Sequence, residues 1–122
     1  MTVRGIRGAI TVEENIASDI LENTKVLLET IIERNHIDIG DIISIFFSVT
    51  PDLDATFPAL SAREMGMTDT PLLCLNEINV PGSLNKCIRI LIHVNSSKAQ
   101  SEMLHVYLKK SVGLRPDKQN VS

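Results

Sequence analysis

The chain has 122 residues, 43% of them hydrophobic, with a formal net charge of -3. That is enough apolar material for one folded domain over residues 1–122 and gives no reason to divide it. Aromatic residues make up only 3%, with no Trp, and acidic groups outnumber basic ones, which argues against a base-stacking platform or a basic footprint on nucleic acid. A small molecule or another protein is the expected partner. The longest apolar runs are too short to span a bilayer, so no membrane association is expected. Cys74 and Cys87 form no CxxC pair and no signal-like run precedes them, which points to reduced thiols in a cytoplasmic protein. His36, His93 and His105 fall in different elements without a close-spaced second ligand, so no metal is expected.

In chain order, the alternation from Val3 to Val12 predicts a strand with Ile6, Ile10 and Val12 on one face and Gly5, Arg7, Ala9 and Thr11 on the other. Arg7 thus stands among residues with almost no side chain, and the glycines suggest close approach of a ligand or another backbone, the ligand slightly favoured, with a bulge or an edge as the alternative. From about Ala17 to Asn35 the apolar spacing turns helical through Ile20, Thr24, Leu27, Leu28 and Ile31. The helix is expected to cover one face of a sheet, with Ser18 as N-cap and Asp19 in the first turn. Asp38 to Asp41 reads as a turn. Ile42 to Val49 reads as a strand apolar on both faces except for its serines, hence buried on both sides, and it stops at Thr50-Pro51-Asp52. Phe57 to Met65 follows as a short helix, with Pro58 at its first position and Arg63 near its end, where a cation suits the helix dipole.

The stretch from Pro71 to Val94 reads as two apolar strands joined by Pro81-Gly82, with Glu77 at the end of the first and Arg89 inside the second. Cys87, Arg89, Leu91 and His93 share one face, and Ile88, Ile90, Ile92 and Val94 the other. An arginine projecting from such a strand needs an anionic partner. Beyond a loop at Asn95-Ser96-Ser97, Met103, Leu104, Tyr107, Leu108, Ser111 and Val112 fit a second helical stripe starting near Ser101, on which Tyr107 suits a core role as well as a functional one. Leu114-Arg115-Pro116-Asp117 leads into a polar tail, residues 117–122, that is expected to be mobile.

The sequence holds no GxSxG elbow, P-loop, GxGxxG fingerprint or metal-ligand cluster, so covalent and cofactor chemistry are disfavoured. What stands out is guanidinium placement: Arg7 and Arg89 in strands, Arg63 on a short helix and Arg115 near the tail, together with Glu77. Arginine forks grip carboxylates and keep their charge, so a converging set suits a small dicarboxylate. Fixed charges in a dry pocket can also hold a flexible substrate in a reactive conformer and stabilise developing negative charge, which fits an intramolecular rearrangement.

The opening Val3-Arg4-Gly5-Ile6-Arg7-Gly8-Ala9, the run Thr50-Pro51-Asp52-Leu53, Phe57-Pro58-Ala59 with Arg63-Glu64, Cys74 to Glu77, Lys86-Cys87-Ile88-Arg89, His105-Val106-Tyr107-Leu108 and Leu114-Arg115-Pro116-Asp117 together resemble the monofunctional chorismate mutases of the AroH class. The resemblance covers nearly the whole chain and rests on the order and spacing of these pieces. It implies an α/β (α+β) fold, a barrel-like mixed β-sheet with helices packed on one side, in a trimeric pseudo-barrel with active sites between subunits. The implied reaction is the Claisen rearrangement of chorismate to prephenate, without a cofactor. Carried over by position, Arg89 would donate to the breaking ether oxygen and Arg7 and Tyr107 would bind carboxylate. Glu77 and Cys74 would meet the ring hydroxyl, while Leu73, Phe57, Arg63 and Arg115 would line or close the pocket. The residues read alone agree at Arg7, Arg89 and Glu77 and are silent on the others; strand parity sets Cys74 and Glu77 on opposite faces. Leu60 stands where the family leads one to expect a lysine, and the link at Gly66-Met67-Thr68 is shorter than usual and lacks an expected tryptophan. A trimeric small-carboxylate binding module and an enamine or imine deaminase of similar assembly are the alternatives.

Overall fold

The computed structural model describes residues 1–114, and within them the alternating N-terminal segment becomes β1 (Thr2–Thr11). The helical stripe becomes α1 (Ala17–Arg34), whose Leu27, Leu28 and Ile31 are fully buried against the sheet. There follow β2 (Ile42–Val49), the short helix α2 (Ala59–Glu64), β3 (Leu72–Asn76), β4 (Cys87–Ser96) and β5 (Val106–Leu108). The five strands form one mixed sheet in the order β3-β2-β4-β1-β5. β4 runs antiparallel to β1 and β2, β3 runs parallel to β2, and β5 runs parallel to β1.

Both helices cover one face of this sheet. There Ile6, Ile10, Ile45, Phe47, Ile88 and Ile92 meet α1 and the α2 residues Ala59 and Ala62 in a single apolar core. The other face is left open, with Leu73 50% and Leu75 48% exposed. The expected mixed sheet with helices on one side is thus what forms. No helix among the described residues is long and apolar enough to cross a membrane.

Several local expectations are corrected. The stripe from Met103 to Val112 is not a helix: Val106 to Leu108 form β5, flanked by short 3-10 turns at Gln100–Glu102 and Lys109–Gly113. Val106 enters the main core while Tyr107 joins a cluster on the other face, an alternation over three residues that mimics helical spacing in a run this short. Lys109, at φ 56°, then turns the chain out of the strand. The strands on either side of Pro81-Gly82 do not pair with each other, because β2 lies between them. β2 is not buried on both sides, since Ser44, Phe46 and Ser48 on its outer face are only half-buried. Ser18 does not cap α1. The cap position is Ile16, with no side-chain hydrogen bond, and the entry loop is held instead by Asn15, whose Oδ1 accepts the N–H groups of Asp54 and Ala55 at 3.0 and 3.1 Å.

Gly8 is required by the close approach of α1 and of the β5 backbone. It faces α1, and a Cβ there would sit 2.7 Å from Ile31 Cδ1 and 3.2 Å from the Val106 carbonyl oxygen. Arg115 and the polar tail, residues 117–122, lie outside the described residues. Gly8→Ala is expected to lower stability by roughly 1–3 kcal/mol through overpacking. Gly40→Ala, at a site with nothing within 4 Å, should stay within about 0.5 kcal/mol of the parent in thermal unfolding. Equal melting temperatures for the two variants would contradict this account of the helix contact.

Candidate active site

Ile88, Ile90 and Ile92 are buried in the core, so β4 cannot rotate and Arg89 must project from the open face. In register, Arg89 stands between Ser48 of β2 and Ala9 of β1, both small. Glu77 follows the last residue of β3, where its N–H donates to the Val49 carbonyl at 2.9 Å and so extends the alignment of β3 on β2. The two side chains meet above β2: Arg89 Nε lies 3.0 Å from Glu77 Oε1, and Ser48 Oγ donates to Glu77 Oε2 at 3.1 Å. The Nε is sealed from solvent but off the line of an aligned hydrogen bond, so the contact with Glu77 is ionic in character. The Arg89 side chain as a whole is 43% exposed and that of Glu77 16%, so the exposed part of Arg89 lies away from the contact.

That exposed end opens on a cavity of about 240 Å³ whose lining includes Arg7, Ser48, Leu75, Arg89, Leu91 and Tyr107. Arg7 stands opposite Leu91 in register and is exposed. Tyr107, opposite Ala9, is mostly buried in a small cluster with Ala9 and Cys87, against which Leu84 and Leu114 pack. Burial pushes the Cys87 thiol up from 9.0 to about 11; the Arg89 guanidinium only partly offsets this, and the Glu77 charge adds to it. Cys87 is therefore a neutral apolar wall at neutral pH.

The ends of the strands are pinned by side chains whose importance depends on tertiary contacts. Lys86, at φ 49°, donates its N–H to both carboxylate oxygens of Asp52 at 3.1 and 2.9 Å. The next N–H, of Cys87, reaches Thr50 Oγ1 at 3.0 Å, and the Thr50 N–H reaches the Cys87 carbonyl at 3.1 Å. Thr50-Pro51-Asp52 thus clamps the start of β4, two residues before Arg89. On β1, the Arg7 N–H donates to His105 Nδ1 at 2.9 Å, and the Gln100 amide pairs with both backbone groups of Gly5. Arg4 is occupied structurally, with its Nε donating to the Lys98 carbonyl at 2.7 Å.

Of the residues singled out from sequence, the fold brings Arg7, Arg89 and Tyr107 to one cavity, with Glu77 on Arg89. Leu73 shares the open face of β3. Cys74 lies on the opposite face, packed against the core, as strand parity requires. Phe57, 73% exposed, lines a separate hollow with Cys74, Leu75 and Asn76, and Arg63 is exposed in the last turn of α2; neither reaches the Arg89 cavity of the same chain. Leu60 is partly exposed on α2. Ser48 was not identified as a site or scaffold residue, while Asp52 and His105 stood only inside motifs that carry the family resemblance, with the strand stop at Thr50-Pro51-Asp52 as a further signal for Asp52.

An open sheet face that presents an arginine held by a glutamate, with a second arginine and a tyrosine on the same cavity, is an arrangement of fixed charges chemically suited to an anion. A family model described as chorismate mutase type I matches residues 3–118. The chain is 48% identical over 118 residues to chorismate mutase AroH of Bacillus subtilis, covering 96% of this chain and 93% of that one. It is 47% identical over 116 residues to chorismate mutase AroH of Thermus thermophilus, covering 94% and 95%. A solved chorismate mutase from Clostridium thermocellum superposes with a TM-score of 0.87 at 53% identity, covering 88% of this chain and 96% of that one. The chain belongs to the type I chorismate mutase family.

The raised Cys87 thiol has a consequence for stability. Its folded value lies above its unfolded one, so its contribution is complete below pH 9.0 and is lost as the pH rises toward about 11. Denaturant unfolding across that window should show a loss of roughly 2–3 kcal/mol from this group. Cys87→Ala should lose less over the same range, although it starts lower at neutral pH. Parallel stability curves for the two proteins would contradict the assignment.

Proposed function

We propose that this single-domain chain catalyses the Claisen rearrangement of chorismate to prephenate, on the route to phenylalanine and tyrosine, without a cofactor. The observation that carries the reading is the Arg89 guanidinium, held by Glu77 on the open sheet face of a chain of this family. The reaction breaks an ether C–O bond and forms a C–C bond within one molecule, with no proton transferred. It therefore needs placement and charge rather than an acid, a base or a nucleophile. As the C–O bond breaks, negative charge grows on the ether oxygen; Arg89 donates to that oxygen and also helps to hold a carboxylate. Arg7 and Tyr107 bind carboxylate from β1 and β5, and Glu77 meets the ring hydroxyl while steering Arg89. Cys74 contributes its backbone, because its side chain packs into the core.

The acting unit in this reading is a cytoplasmic homotrimer with each site between two subunits. Supporting it are the exposed apolar side chains Leu73, Leu75 and Leu91 on the open face, which an assembly would cover. The positions of Phe57 and Arg63, outside the cavity of their own chain, suit a role in a neighbour's pocket. Arg115 closes the pocket from the chain's end. The two free thiols suit a reducing compartment.

Purified protein should consume chorismate with no added metal or cofactor, which also separates this reading from a binding module. Arg89→Ala should fold normally and lose at least about 10²-fold in kcat, the scale of one preorganised donor to a developing oxyanion. Full turnover in that variant would overturn the role given to Arg89. Arg115→Ala should mainly raise KM, as expected for a contact made equally in ground and transition states. A fall in kcat at constant KM would contradict that role.

A further inference from the structure

We infer that Ser48 is a positioning residue for the reaction, acting through Glu77 on the aim of Arg89; the inference rests on the functional reading above. Glu77 lies past the end of β3, where its backbone is fixed by Val49 but its side chain keeps three rotatable bonds. Its attraction to Arg89 does not set the plane of the carboxylate, because the 3.0 Å approach of Nε is not an aligned hydrogen bond. Among the described residues, the Ser48 hydroxyl supplies the aligned hydrogen bond that this carboxylate receives, at 3.1 Å to Oε2. With Oε2 taken by Ser48, Oε1 is the oxygen left to face Arg89.

Ser48 is well placed to do this. It is the cross-strand partner of Arg89 on β2, and its neighbours Phe47 and Val49 are buried in the core, so its backbone cannot drift. It also lines the cavity on which the exposed end of Arg89 opens. Being merely polar on a half-open strand does not account for the contact. Ser44, on the same strand and face, meets His93 Nδ1 at 3.2 Å and lies away from the acid.

The test is steady-state kinetics and thermal unfolding of Ser48→Ala, Ser48→Thr and Ser44→Ala, with Ser48→Ala repeated in a Glu77→Ala background. Ser48→Ala should lower kcat roughly 5- to 30-fold, between the value of an ordinary hydrogen bond and the lower part of the range for a charged acceptor, with KM changed less than about twofold. Ser48→Thr, which keeps the hydroxyl, should restore most of the turnover, and Ser44→Ala should match the parent. In the Glu77→Ala background, removing the Ser48 hydroxyl should cost no further turnover, because the group it orients is gone. An equal kcat loss in both backgrounds would overturn the inference, since Ser48 would then act without Glu77. Wild-type kcat in Ser48→Ala alongside an inactive Arg89→Ala would overturn the positioning role alone. Full turnover in Arg89→Ala would instead remove the reading on which it rests.

Discussion

Two strands that do not touch each other are each locked to β2, and that arrangement holds Arg89 against Glu77. β4 is fixed on one edge of β2 by an antiparallel ladder, and β3 on the other by a parallel one continued by the Glu77 N–H. The distance across β2 is set by backbone spacing and does not depend on the flexibility of long side chains. The guanidinium is therefore placed by the sheet, and the carboxylate only has to orient it. A half-exposed ion pair contributes little to stability. Its value here is geometric: the inner nitrogen is taken up, and the rest of the guanidinium is left open toward the cavity.

The rest of the molecule keeps this frame still. The main core fixes the rotation of β4, and the clamp of Thr50 and Asp52 on Lys86 and Cys87 fixes its starting point. Gly8 lets α1 close on β1, while Gln100 and His105 satisfy backbone groups on the outer edge of β1 that β5 is too short to reach. Such coverage leaves fewer unpaired groups for another chain to pair with. Cys87, buried and neutral, adds an apolar wall beside Arg89, where a weaker dielectric strengthens the field of the guanidinium.

Sequence periodicity was sufficient where elements were long. The alternations of β1 and β4 set Arg7 and Arg89 each on the face of its strand opposite the aliphatic one, and the helical stripe located α1; that the two faces are the same one comes from the pairing of the strands. It failed at β5, because three residues alternating between two apolar clusters cannot be told from part of a helical stripe. It also failed to show that β3 and β4 are separated by β2, since local patterns carry no information about which strands pair. The central charges were legible because a charge on a strand with an aliphatic back is anomalous in itself. Ser48 was not, because its importance exists only in the register between strands, and no local pattern showed what Asp52 clamps or where Phe57 and Arg63 stand relative to the cavity.

The most direct test is the arginine side-chain nitrogen NMR spectrum of the ligand-free protein. A guanidinium fixed before substrate arrives should give one Nε–H resonance that exchanges slowly with water, is lost in Arg89→Ala and stays near its position when a bicyclic dicarboxylate mimic binds. An Arg89 Nε–H averaged with solvent in the free protein, sharpening only on ligand addition, would show that the sheet does not place the charge in advance and would contradict the account.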